Sequence, residues 1–265
     1  MGALVSGEED VVFAGGDEML QARSNGVDVV NWATMYQHYP VTLIVPEDSD
    51  IHTPADLRGK KVGLPGPYGE NYFALLAMFR ANGLSDTDVS VQYVGYTQAA
   101  ALSAGEVDAI VGFANSDLVN IASTLSTEDI SALDPSEWPV RSIDMVSGGL
   151  PLVGVGLGSP SASVKDDADA YSRLLSALDR AVQFSAEHPE ETLDITAQYV
   201  PDLSEPDKRS VAAVTLRETL ALYTGAETFG SQNAETWAAM ADFMWSNNLL
   251  EGQVDPQTAF VDLTR

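Results

Sequence analysis

The chain has 265 residues, with 39 Asp and Glu against 13 Lys and Arg, and a net charge of −26. So acidic a balance excludes nucleic acid and anionic membrane as attractive partners, and it suits a soluble protein, including one from a salty environment. The cysteine count of 0 excludes disulfides, thiol nucleophiles and thiolate metal sites.

The length suffices for one large or two smaller α/β domains with an ample core. No apolar run approaches the roughly 18 residues needed to span a bilayer. Residues 1–20 lack the basic start and uninterrupted apolar stretch of an export signal, which taken literally means a cytoplasmic protein.

Residues 1–6 read as the last turns of a helix that ends at Gly7, and Val11-Val12-Phe13 as a strand buried on both faces. That strand stops at Ala14-Gly15-Gly16-Asp17, and a helix is expected over 17–24, ended by Asn25-Gly26. Residues 27–35 form a β-type run, interrupted by Tyr36-Gln37-His38-Tyr39-Pro40 and followed by a strand at 41–45. Thr53-Pro54-Ala55-Asp56-Leu57 is a short capped helix with proline at its first position. A strand at 60–64, the loop Pro65-Gly66-Pro67-Tyr68-Gly69, a helix at 70–81, a strand at 89–94 and a helix at 98–104 come next. Such alternation signals βαβ units and a parallel sheet. Helix is again expected at 117–125, an acidic excursion at 127–138, and strands at 140–146 and 151–157. From Ser159 on the chain is helical, at 168–187, 189–199, 206–223 and 234–247. The helix at 168 carries a wide apolar stripe, including Leu174, Leu175 and Leu178, that should face a sheet.

One unit occurs twice. Ala3-Leu4, Gly7-Glu8, Asp10 and Leu20 recur at a constant offset as Ala101-Leu102, Gly105-Glu106, Asp108 and Leu118. In each copy an apolar strand follows the glycine and ends on small, then polar, residues; the second ends at Asn115-Ser116-Asp117. Ligands sit at the carboxyl ends of strands in parallel α/β sheets, so two such ends suggest two lobes that face one cleft.

This order of pieces resembles that of the substrate-binding proteins of ABC importers. The most specific match is Ile51-His52-Thr53-Pro54-Ala55-Asp56-Leu57-Arg58-Gly59-Lys60-Lys61-Val62-Gly63 with the Pro-Gly loop after it, and the second is 101–117. Within that group the chain is similar to the branch related to thiamine-pyrimidine synthases, which serves thiamine-pyrimidine precursors, riboflavin, sulfonates and related small molecules. The resemblance implies an α/β chain of the two-lobed periplasmic-binding-protein type II fold, with a ligand cleft between the lobes. Lobe I is expected from 1–40 and 157–265, lobe II from 41–156, with strand crossings near 41–45 and 152–157. It further implies an extracytoplasmic monomer that serves a membrane permease, needs no cofactor and catalyses nothing. Members of the family begin with an export signal and a first strand-helix unit upstream of the segment that matches Ala3. Neither is present in these residues, so an unpaired apolar gap is expected in lobe I.

A heterocyclic ligand calls for flat side chains and a few directional polar groups. Asn115, Ser116 and Asp117 are the foremost candidates, because the resemblance places an amide- and carboxylate-bearing loop there and the pair can match the edge of a pyrimidine-type ring. Asn115 or Ser116 can equally cap the helix that follows. Gly15, Gly16 and Asp17 would face them. Tyr36, Gln37 and Tyr39 interrupt a strand near the expected crossing, and Tyr68 stands in the Pro-Gly loop at a helix N-terminus. Trp32 reads as core. His38, His52 and His188 show no metal-type spacing, and neither a catalytic triad nor a phosphate or dinucleotide loop is present.

These features together favour a solute-binding component of an ABC importer, taking a thiamine-pyrimidine precursor or a riboflavin-like compound. The alternatives are a sulfonate or other small anion, or a small-molecule enzyme on the same fold. The pyrimidine synthases of this architecture carry a cysteine-rich motif that a chain without cysteine cannot supply.

Overall fold

A computed structural model describes residues 1–224 and 228–264. The chain opens with α1 (Gly2–Ser6), β1 (Val12–Gly15), α2 (Gly16–Ser24) and β2 (Val30–Thr34). Next come β3 (Val41–Pro46), a 3-10 turn at Pro54–Leu57, β4 (Lys61–Leu64), α3 (Gly69–Asn82), β5 (Ser90–Tyr93), α4 (Gln98–Ser103), β6 (Ala109–Phe113) and α5 (Asp117–Leu125). Two further 3-10 turns lead to β7 (Val140–Ile143) and β8 (Val155–Ser159). Helices α6 (Ser161–Asp166), α7 (Ala168–Glu187), α8 (Pro189–Ala197), α9 (Pro206–Tyr223) and α10 (Ala234–Ser246) complete the chain.

The internal repeat is structural. Gly7 after α1 and Gly105 after α4 both adopt left-handed backbone, φ 73° and 67°, which costs a glycine nothing. Each repeat thus turns from a short helix into a strand, β1 or β6. The partners of those strands differ.

The contacts divide the chain into two compact units, Met1–Tyr39 with Pro151–Gln183 and Leu222–Arg265, and Pro40–Leu150 with Phe184–Ala221. Segment 184–221, expected with lobe I, belongs to the second unit because Val211 and Val214 of α9 pack on its core. The changeover expected near 156–157 falls instead between Leu150 and Pro151.

In the first unit, β1, β8 and β2 form a three-stranded sheet in that order, and both pairings are antiparallel. The parallel sheet expected from the alternation is therefore absent from this sheet, because its central strand returns from far along the sequence. Strand β8 starts later than expected, at Val155. Residues 151–154 are instead spent on loop contacts, including the Val153 carbonyl that accepts from Gly16 N–H at 3.1 Å. β1 is not buried on both faces: it lies at an edge of the sheet and Phe13 is 55% exposed. Trp32 is core, closely packed with Val30, Ala33, Val164 and Leu175. The stripe on α7 is narrower than expected. Tyr171, Leu175 and Leu178 reach the Trp32 cluster, but Leu174 stays exposed because it lies off that face.

The second unit holds a five-stranded sheet in the order β5-β4-β6-β3-β7. Strands β5, β4 and β6 are parallel, as expected, and β3 runs antiparallel to both β6 and β7. Its core gathers Ile44, Val107, Ile110, Val119, Ile121 and Trp138.

Candidate functional site

In the first unit the candidate residues lie where β1 and β2 end. Gly15 closes β1 and the chain turns at once into α2, with the Gly15 N–H donating to the Glu18 carboxylate at 3.3 Å. A Cβ on Gly16 would meet the Val153 side chain at 2.6 Å, so the bare backbone is what lets the strand end lie there. Asp17 is fully buried. Its carboxylate accepts from Glu18 N–H at 2.7 Å and from the Tyr39 hydroxyl at 2.6 Å. Burial, helped by the charge of Glu18 and opposed by the Tyr39 hydrogen bond, pushes its pKa up to about 7.

The chain leaves β2 with Met35 and Tyr36, whose N–H groups both donate to the Val155 carbonyl at 2.9 Å. A Cβ on Gly154 would stand 2.4 Å from the Tyr36 carbonyl oxygen, so glycine is required where these segments cross. Tyr36 is 8% exposed. It meets Phe13 edge-on, with centroids 6.0 Å apart at 88°, and Tyr223 at 5.4 Å and 49°. Burial, with Tyr36 adding to it, pushes the Tyr223 phenol up to about 12. Gln37 is turned onto the backbone: its Nε2 donates to the Thr34 carbonyl at 2.6 Å, and its N–H to the Leu222 carbonyl at 2.8 Å. This unit therefore brings Gly15, Gly16, Asp17 and Tyr39 together at one strand end. Tyr36 is joined there to Phe13 and Tyr223.

In the second unit the parallel strands β4, β5 and β6 deliver three loops at their carboxyl ends. The first carries Tyr68, just before α3. Gly66 lies under its ring, with an ideal Cβ only 2.3 Å from Tyr68 Cε1. A side-chain hydrogen bond to Tyr96 raises the Tyr68 pKa, and Tyr96 stands on the loop after β5, 83% exposed. The third loop holds Asn115, Ser116 and Asp117. Asp117 folds back so that its carboxylate accepts from Phe113 N–H at 2.8 Å; burial raises its pKa and that hydrogen bond opposes the rise. Asn115 is buried, and its Nδ2 donates to Thr219 Oγ1 at 2.9 Å. Ser116 is the N-cap residue of α5, but its side chain makes no cap bond.

Three further aromatic residues, Phe13, Tyr96 and Tyr223, stand beside the candidate residues. Tyr96 carried a signal, since it occupies the same strand-to-helix position as Tyr68. Phe13 was hidden within an apolar run, and Tyr223 in a helix distant in sequence. Among the described residues no group of three or more His, Cys, Asp and Glu is placed to hold a metal ion. No helix of the described residues is long and apolar enough to cross a membrane.

Comparison with known proteins agrees with this architecture. The riboflavin-binding protein RibY of Chloroflexus aurantiacus is 28% identical over 258 residues, covering 95% of this chain and 70% of that one. The formylaminopyrimidine-binding protein of Halalkalibacterium halodurans is 25% identical over 250 residues, covering 93% and 72%. Among solved structures, the periplasmic aliphatic sulphonate binding protein SsuA of Escherichia coli superposes with a TM-score of 0.74 at 21% identity, over 100% of this chain and 79% of that one. The alkanesulfonate-binding protein SsuA of Xanthomonas axonopodis pv. citri gives 0.69 at 23% identity, over 98% and 83%. These structural likenesses establish the periplasmic-binding-protein fold. The family described as NMT1/THI5 like matches residues 2–192, and the chain belongs to it.

Proposed function

We propose that this protein is the solute-binding component of an ABC importer and holds a small, flat heterocycle of the thiamine-pyrimidine-precursor or riboflavin-like class. The observation that carries the reading is the match to RibY and to the formylaminopyrimidine-binding protein over more than nine-tenths of the chain. On this reading the protein acts outside the cytoplasm, as a monomer, hands its solute to a membrane permease and catalyses nothing.

The residues at the strand ends support it. Heteroaromatic rings are held by offset or edge contacts to aromatic side chains and by a few fixed polar groups. Phe13 on β1 and Tyr68 and Tyr96 on strand-end loops offer exposed ring area, and Ser116, whose side chain makes no cap bond, offers a hydroxyl. Asp17, Tyr36, Gln37, Tyr39, Asn115 and Asp117 hold those loops in shape through the bonds described above. The decisive experiment is mass spectrometry of small molecules released from the purified protein, followed by calorimetric titration with riboflavin and with formylaminopyrimidine. Saturable binding of either supports the reading. Binding of an alkanesulfonate alone would replace it.

A further inference from the structure

A groove in the second unit lies on the helices rather than at the strand ends. Three helices turn short side chains toward one space: Ser123 and Thr124 on α5, Thr192 and Thr196 on α8, Ala212 and Thr215 on α9. Thr192 and Thr196, like Ala212 and Thr215, are one turn apart and so share a helix face. None of these side chains is long enough to fill the gap. Val214 on α9 and Ile121 on α5 are anchored in the unit's core, so the walls are not free to collapse on each other. About 650 Å³ remains, lined also by Leu193 and Leu216. Small-molecule sites span roughly 300–1,000 Å³.

Charge around the groove is one-sided. Lys208, on its rim, is already held by Asp202 at 3.0 Å and Glu205 at 3.2 Å. An adjoining cavity of about 260 Å³ shares Ser123, Asp207 and Val211 with it and adds Glu128 and Asp129. Asp129 accepts from Ser131 N–H and from the Ser210 hydroxyl, so its carboxylate is fixed in place at that end. An anion would meet these carboxylates inside the field of a chain carrying −26. An amine meets complementary charge.

We propose that this groove is a second binding site, for a cationic amphiphile: a small molecule whose apolar body lies along Leu193 and Leu216 and whose ammonium group sits by Asp207 and Asp129. The Thr192 and Thr196 hydroxyls donate to the His188 and Thr192 carbonyls at 2.9 and 2.7 Å and so present acceptor oxygens to N–H groups along the edge of such a body, where Thr215 adds a third hydroxyl. The groove's lining shares none of the residues assigned to the transported solute, and at one end its Thr219 accepts from Asn115 at 2.9 Å.

The test is a fluorescence titration of the full chain with dansylcadaverine, an aromatic amine probe, beside the anionic dye ANS. Saturable binding of one dansylcadaverine per chain is expected, with ANS at least about tenfold weaker. Ala212→Trp, which fills the groove, should weaken dansylcadaverine by at least about tenfold, and Thr215→Leu is the gentler filling variant should the first fail to fold. Asp207→Asn should weaken it by about two- to fivefold, the size of an exposed ion pair, and added salt should do the same. The solute released from the purified protein should not displace the probe. Unchanged binding in a folded filling variant, equal binding of ANS, or displacement by that solute would overturn the assignment.

Discussion

The Tyr39 hydroxyl donates to the Asp17 carboxylate at 2.6 Å, and Asp17 is fully buried at the start of α2. A carboxylate in that position is held between two demands. The hydroxyl and the Glu18 N–H favour the ionised form, whereas burial favours the neutral one and prevails, raising the pKa from 3.8 to about 7.

A pH dependence of stability follows. Between 3.8 and about 7 the folded chain keeps a proton at Asp17 that the unfolded chain has released, so this group's contribution is full below 3.8 and is lost as pH rises toward 7. Asp17→Asn removes the titration while retaining an acceptor oxygen. Urea unfolding at several pH values across that window should give a flatter profile for the variant, the difference in slope being at most about 1.4 kcal/mol per pH unit. Tyr39→Phe, which takes away a donor to the ionised form, should move the upper end of the window upward. Parallel profiles for wild type and Asp17→Asn would show that Asp17 does not titrate there.

Phe13 and Tyr36 touch, yet they should respond differently to mutation. Phe13 is more than half exposed, so Phe13→Leu should leave the melting temperature almost unchanged and forfeit only the ring-specific part of solute binding, about 0.5–1.5 kcal/mol. Tyr36 is buried between Phe13 and Tyr223, and Tyr36→Ala should destabilise the fold by about 3 kcal/mol or more. Calorimetric titration beside thermal melts separates the two. Full solute affinity in Phe13→Leu would remove the ring from the binding site.

Asp117 is expected to matter to folding more than to recognition. Asp117→Ala strips the Phe113 N–H of the acceptor it has at 2.8 Å, and should cost about 1–3 kcal/mol in denaturant unfolding. Asp117→Asn keeps an oxygen in place and should cost less. Solute affinity in the folded Asn variant should match wild type, and a fall of tenfold or so would return the side chain to the ligand.

With a net charge of −26, the folded chain repels itself in dilute buffer. Raising NaCl from about 0.1 M to about 1 M shrinks the screening length from about 10 Å to about 3 Å and should raise the melting temperature by several degrees. A flat or falling melting temperature would mean that the acidic residues are spaced widely enough not to oppose folding.

The sequence by itself determined what short-range physics controls. The extents of α5 and α7 follow from an apolar period of 3.6 residues, the start of α9 from the proline at its first position, and the left-handed turns at Gly7 and Gly105 from the one residue type that takes that backbone freely. Trp32 was recognisable as core from its place in an apolar strand. The family was recognisable because motif order along the chain survives without coordinates. Only the tertiary structure decided which strands pair: β8 enters antiparallel between β1 and β2 from more than a hundred residues away, a choice that depends on burying surface across the whole unit. The same holds for Phe13, which is exposed because β1 lies at a sheet edge, and for the Tyr68–Tyr96 pair, which exists because β4 and β5 are neighbours. The transfer of segment 184–221 to the second unit, and the groove it builds with α5, likewise arise from packing between helices whose own sequences name no partner.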